Sequence, residues 1–364
     1  MNLMYVGTYT DLSLQTGDQA APPTGSDGIY VCRQDAETGR LSEPVVAART
    51  VNPSFLATEK ESRFLFAVNE TREFGGEDSG AVSSFAIDRE TGALEFLSQV
   101  PSGGVNPCHL SVSTCGGFLL VANWNTATVA VFPISDDGHL SPYVDVHTDE
   151  PTSERDVHAH FVTPSPDGSF VFATDTGTDR VMIYRQDAET GRLTPNDPPF
   201  GQTHVGGSPR HLAFHPDGDF LFANGESDLT LSVFRYDRVK GSLEHVQNLS
   251  TLPEGTEAGE FSTSQILAHP GGRFVYVANR GADSIAIFRF DALTGRAESA
   301  EFESTRGRIP RNFMIDPAGR FLYAANQESD SIECFVIDQE TGLLDHQGRV
   351  ASVPAPSCLV FSVA

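Results

Sequence analysis

Short apolar runs rich in Val, Phe, Leu and Ala alternate along the chain with turns that carry Asp, Pro, Thr and Gly. One turn, close to Asp-x-x-Thr-Gly-x-Leu, recurs with its glycine at Gly39, Gly92, Gly138, Gly191, Gly241, Gly295 and Gly342, marking seven units of about 50 residues. The order inside a unit is constant. In the fifth it runs Pro209-Arg210-His211-Leu212-Ala213-Phe214, then His215-Pro216-Asp217-Gly218, then Phe220-Leu221-Phe222-Ala223-Asn224, then Leu231-Ser232-Val233-Phe234, then the Gly241 turn and a last strand. β-branched and aromatic runs of this length, split by Asp-Gly or Thr-Gly, read as strands joined in hairpins. Four strands per unit, repeated seven times, predict an all-β chain: a seven-bladed β-propeller of four-stranded antiparallel blades, with residues 1–364 as one domain.

The termini predict how the ring closes. The first unit starts directly at its second strand, Met4-Tyr5-Val6-Gly7-Thr8, and a spare first strand, Pro356-Ser357-Cys358-Leu359-Val360-Phe361, sits at the other end. The C-terminal strand is therefore expected to complete the N-terminal blade, which leaves no open edge.

Strand direction then says which residues meet. In an up-and-down blade the Pro-Asp-Gly and Thr-Gly turns share one face, and the opposite face gathers the starts of first strands and the ends of second strands around the channel. These two points lie sixteen residues apart: Ser54 to Glu70, Cys108 to Trp124, Ala159 to Asp175, Arg210 to Glu226, Ser264 to Arg280, Arg311 to Gln327, with Tyr9 and Ser357 in the shared blade. The slot beside the first-strand start holds His109, His160 and His211. Several ionisable groups thus converge on one mouth of a channel, the usual ligand site of such a fold. Arg210 or Arg311 could instead tie blades together by pairing with Glu226 or Asp175. Asn69, Asn123, Asn224, Asn279 and Asn326 read as one repeated turn position, and His215 and His269 as framework beside the opposite turns. His158 and His160 have the alternate spacing of a metal-binding pair, but no third ligand is signalled, so no metal is expected. The acidic, glycine-bearing segments 70–80 and 253–260 read as mouth-side excursions that partly cover it.

Charge changes the picture of partners. The net charge is −25, and the 24 basic residues comprise only two lysines, Lys60 and Lys240, the remainder being arginine. Such a surface repels nucleic acid and anionic membranes. It suits concentrated salt, where the Debye length shrinks to about 3 Å at 1 M. No run of about 18 apolar residues is present, and the N-terminus lacks the cationic and apolar pattern of an export signal, so a cytoplasmic location is expected. Five cysteines without a CxxC argue against a disulfide framework or a thiolate zinc site. A monomer or weak homo-oligomer is expected.

The opening Tyr5-Val6-Gly7-Thr8-Tyr9-Thr10, the Pro209–Gly218 segment, Ala278-Asn279-Arg280-Gly281 and Pro310-Arg311-Asn312-Phe313 resemble the seven-bladed lactonase family over essentially the whole chain. That family includes cycloisomerase-type 6-phosphogluconolactonases and the fungal carboxy-cis,cis-muconate lactonising enzyme. The resemblance implies lactone hydrolysis, or ring closure in reverse, with a catalytic cluster on His160, Arg210, Glu226 and Arg280, and a further arginine at Arg311. Hydrolysis needs a base for water, a donor for the developing oxyanion and an anchor for substrate anions. Glu226 or His160 fits the first role, Arg280 the second, and Arg210 with Arg311 the third. His109, His211, Asp175, Trp124, Glu70, Gln327 and Tyr9 are expected to line the substrate site. No phosphate loop, nucleotide motif or nucleophile elbow appears, so neither an organic cofactor nor a covalent intermediate is expected. The competing reading is a non-enzymatic propeller that only binds or scaffolds.

Overall fold

The computed structural model describes residues 2–17, 23–148, 156–256 and 259–362. Seven four-stranded antiparallel sheets form the ring. Among the described residues, helix is confined to one turn at Ser13–Thr16 and a 3-10 turn at Gln327–Ser329. Blade one has the order Pro356–Ser362, Asn2–Thr8, Gly28–Gln34, Val45–Arg49, so the tail strand seals the N-terminal blade, with Leu3 opposite Ser362 and Val6 opposite Leu359. Blades two to seven then follow in chain order, with innermost strands Leu56–Thr58, Pro107–Val112, Ala159–Pro164, Pro209–Phe214, Ser262–Ala268 and Pro310–Ile315.

The repeated turn packs each blade onto its predecessor. The seven turn glycines have φ between 68° and 84°, a region that L side chains avoid. A Cβ on Gly342 would run into the ring of Phe274, and one on Gly39 into Phe321, so the same contact crosses the closing seam. At that seam Met4, Tyr30, Tyr323, Ile332 and Phe361 form one buried cluster. Burying each such side chain stabilises the ring by about 1.5–3 kcal/mol. Polar ties repeat as well. His215 and His269 reach the Gly272 and Gly319 carbonyls of the next blade at 2.9 and 2.8 Å, as framework residues. Asn69, Asn279 and Asn326 donate to the Val51, Thr251 and Thr305 carbonyls in the connections from the preceding blades at 2.6, 2.8 and 2.9 Å. Asn224 departs from this set: it lies one residue earlier in its strand and donates forward to Thr263 Oγ1 at 2.7 Å.

The innermost strands open with a bulge that matters for chemistry. Pro107 pairs with Asn123 but His109 with Ala122; the same skip occurs at Pro209 and His211, at Pro310 and Asn312, and at Ala159 and Phe161. Cys108, Arg210, Arg311 and His160 are the skipped residues, and all four line the mouth. A bulge re-aims a side chain in this way. Blade four corrects the sequence reading: His160, not Ala159, is the counterpart of Arg210, and Phe161 is the counterpart of His109 and His211. Asp175 accordingly takes the asparagine slot of the repeat and Thr176 follows it in the mouth slot. Strand periodicity is two, so a slip of one residue exchanges the faces. The 70–80 segment does reach the mouth through Arg72; within 253–260, residues 257 and 258 lie outside the described residues.

Candidate active site

A cavity of about 310 Å³ opens at the mouth that collects the bulged residues and second-strand ends. His160, Arg210, Glu226, Arg280, Arg311, Glu70 and Trp124 line it, together with Gln15, Thr16, Arg72, Asn106, Cys108 and Asn125. Tyr9 stands behind the wall, donating to Glu70 Oε2 at 2.8 Å. Four expected lining residues are placed elsewhere. Asp175 occupies the asparagine slot but, as a carboxylate, accepts instead of donating, from the backbone N–H groups of His158 and Gly177, both at 2.9 Å. His109 is sandwiched between Phe55 and Phe161, at 4.1 and 3.9 Å between ring centroids, and borders the cavity at the other end of the channel. His211 lies beneath the floor, with Nδ1 2.5 Å from Gln265 Oε1 and Nε2 3.1 Å from Arg210 Nη1. Gln327 opens the 3-10 turn and donates its backbone N–H to Ile309 O at 2.9 Å.

Glu226 is the electrostatic centre. Its Oε1 accepts from Arg280 Nη2 and lies 3.6 Å from Arg210 Nε, while Oε2 has no hydrogen-bond partner among the described residues. Burial pushes the carboxyl up, but Arg210 and Arg280 outweigh it and hold it below the usual glutamate range, so it is ionised. Arg210 is only 2% exposed; its Nη1 donates to Ser264 O, and burial, then Arg280, pull its pKa down. Arg280 also donates to Thr263 O at 2.9 Å. On the other wall Glu70 is held by Tyr9, Ser54 and Gln15, and Arg311 donates to the Tyr9 hydroxyl with its guanidinium 5.0 Å over the ring. Burial keeps the Tyr9 phenol protonated. His160 is buried with Nδ1 unpartnered among the described residues; burial and then the Arg210 charge hold it well below 6.5, leaving a neutral imidazole. Arg72 adds a fourth guanidinium to face two carboxylates, making a cationic mouth in a chain of net charge −25.

The site therefore offers an ionised carboxylate with one free oxygen, a neutral imidazole and fixed guanidinium donors around a water-accessible cavity. This set can move a proton and stabilise an oxyanion. Among the described residues no group of three His, Cys, Asp or Glu side chains is arranged to hold a metal. Nor is any helix there long and apolar enough to cross a membrane. Cys108 stood in the mouth slot of the repeat and was legible from the sequence. Gln15, Arg72, Asn106 and Asn125 were not, because they come from connections between strands, outside the repeated pattern.

Known proteins share this architecture from end to end. The chain is 34% identical over 365 residues to the 6-phosphogluconolactonase of Bacillus subtilis, covering 98% of this chain and 97% of the relative. A 6-phosphogluconolactonase of Formosa agariphila is 27% identical over 321 residues, or 86% of either chain. The structure of the periplasmic gluconolactonase of Pseudomonas aeruginosa superposes with a TM-score of 0.89 at 34% identity, covering 100% of this chain and 99% of that one. The family model described as "Lactonase, 7-bladed beta-propeller" matches residues 3–361, and the chain belongs to that family.

Proposed function

We propose that the protein hydrolyses a sugar lactone of the 6-phosphogluconolactone type, with Glu226 as general base. The observation that carries this reading is a carboxylate pinned through one oxygen between two guanidinium groups, its other oxygen unpartnered, beside a neutral imidazole in the cavity. The lactone carbonyl approaches Arg280. Water attacks it while Glu226 Oε2 takes the water proton; Arg280 stabilises the oxyanion that forms. The ring C–O bond then breaks, and the departing ring oxygen receives that proton from Glu226, giving the hydroxy acid and restoring the carboxylate. Arg210 positions Glu226, His160 orients the carbonyl or the water, and Arg311 meets substrate oxygens. No organic cofactor enters the scheme. A cytoplasmic monomer or weak homo-oligomer completes the reading. The shared family, and relatives named for lactone hydrolysis, support it.

The test is turnover of 6-phosphogluconolactone, glucono-1,5-lactone and muconolactone by the wild type, Glu226→Gln and Arg280→Ala in molar KCl. Each substitution is expected to lower kcat/KM by about 10²–10³-fold with the melting temperature preserved. Unchanged turnover in both variants removes the assignment, and a wild type inert toward every lactone points to a binding role. Turnover confined to muconolactone and its open acid favours a lactonising cycloisomerase.

A further inference from the structure

The relatives differ in one chemical respect: some are named for a phosphorylated lactone and one for gluconolactone. The cavity has two halves that bear on this difference. In the deep half each guanidinium already has a partner in the fold and keeps its remaining donors for the lactone end of the substrate: Arg210 meets Ser264 O and Glu226, Arg280 meets Glu226 and Thr263 O, and Arg311 meets the Tyr9 hydroxyl. The rim half is built from segments outside the repeat. Helix Ser13–Thr16 is tied to the 70–80 segment by the Arg72 N–H donating to Leu14 O at 3.1 Å and by Gln15 donating to Glu70. Asn106 links the helix to blade three, donating to Gln15 O at 3.0 Å and to Asn125 Oδ1 at 2.7 Å. Across the rim, Trp124 stacks on His158 with ring centroids 4.1 Å apart and planes 8° from parallel, which leaves a flat wall 36% exposed at the tryptophan.

Arg72 is the exception in this frame. Its backbone is anchored and its stem passes near Gly17, where an added Cβ would lie 3.7 Å from its Cδ, yet its guanidinium has no hydrogen-bond or ion-pair partner among the described residues, although it lines the cavity. Within so acidic a chain, an arginine held at a cavity rim without a carboxylate awaits an anion from outside. We propose that Arg72 meets the terminal anionic group of the substrate, a phosphate monoester, and so selects a phosphorylated lactone over its neutral counterpart. This deepens the proposed hydrolysis and rests on it for orientation: with the carbonyl among Glu226, Arg280 and His160, the far end of the substrate points to the rim. The flat Trp124 wall covers a face of the sugar between the two ends. Arginine suits phosphate through its planar fork of donors, and the cavity volume falls at the lower end of the roughly 300–1,000 Å³ range of small-ligand sites.

Two measurements test it on the full chain. The first is kcat/KM for 6-phosphogluconolactone and glucono-1,5-lactone with wild type, Arg72→Gln and Arg72→Lys; the second is calorimetric affinity for 6-phosphogluconate and gluconate, which needs no turnover. The wild type is expected to favour the phosphorylated partner of each pair, Arg72→Gln to reduce that preference about tenfold, and Arg72→Lys to recover part of it. An unaltered preference, no preference in the wild type, or a variant that loses only melting temperature overturns the proposal. A wild type that binds 6-phosphogluconate through Arg72 but opens neither lactone sinks the hydrolytic reading and keeps the anion site.

Discussion

On the turn face of the ring, Arg63, Arg273 and Arg320 hold the same place in blades two, six and seven. Each guanidinium lies over the phenylalanine that follows it, at 4.9, 5.4 and 5.6 Å from the ring centroid, and each donates to a carbonyl of the next blade, on Asp136, Gln339 and Ala36. At the mouth, Arg210, Arg280 and Arg311 stand where neighbouring blades carry Ser264, Glu226 and Ser357. The residue type is the same and the physics differs. A repeated arginine serves a joint that recurs, and its acceptor is always the next backbone. An arginine that breaks the repeat has no recurring acceptor: Arg210 and Arg280 gather on Glu226, while Arg311 takes the Tyr9 hydroxyl. Departure from the repeat, more than residue type, separates the chemical groups from the framework.

Changes on the turn face should cost stability and spare chemistry, the reverse of those at Glu226. Phe274→Ala is expected to lower the unfolding free energy by about 3–5 kcal/mol, and Gly342→Ala by about 1–3 kcal/mol because its Cβ meets the same ring at a positive φ. Urea unfolding checks both, and activity per folded molecule should hold; a specific loss of kcat without loss of stability would erase the distinction between the faces.

Acid should act through the channel. His109, His160 and His211 are held well below 6.5, in each case first by burial and then by the Arg210 charge. The unfolded chain takes up protons as pH falls through 6.5 while the folded chain resists, so stability is full above 6.5 and declines below it. Each histidine contributes a slope of up to about 1.4 kcal/mol per pH unit. Glu226, whose pKa is lowered, opposes folding loss only until pH falls below the ordinary value of 4.5 and so leaves this window untouched. Melting temperatures flat from pH 7 to 5 would contradict neutral channel histidines.

The smallest expected effect is that of salt. Screening the net charge of −25 should raise the melting temperature by a few degrees between 0.1 and 2 M KCl, as the Debye length falls from about 10 Å to less than 3 Å. A fall instead would remove the reading of the acidic surface as an adaptation to concentrated salt.

Much of this architecture is legible in the sequence itself. The glycine turns counted the blades, and the missing first strand paired with the spare tail strand located the seam. The sixteen-residue spacing brought Arg210, Glu226 and Arg280 to one mouth. The sequence pattern places blade four one residue off because Thr174-Asp175 stands where blades three, six and seven read Ala-Asn, so the asparagine that aligns the units is absent. Blade five carries a similar trap, in that Asn224 imitates the shared asparagine one position early.

Local pattern alone settled the strands, the turns and the number of blades, since these follow from periodicity and from glycine's access to positive φ, which act over a few residues; the closure was legible only by matching the missing first strand to the spare one at the tail. Tertiary structure decided the rest: that a bulge turns His160 into the cavity and leaves His109 in the channel, that Glu226 bridges two arginines, and that a connection outside the repeat brings Arg72 to the rim. Those outcomes depend on which side chains meet across blades, and distances between residues far apart in the chain are set only once the ring has closed.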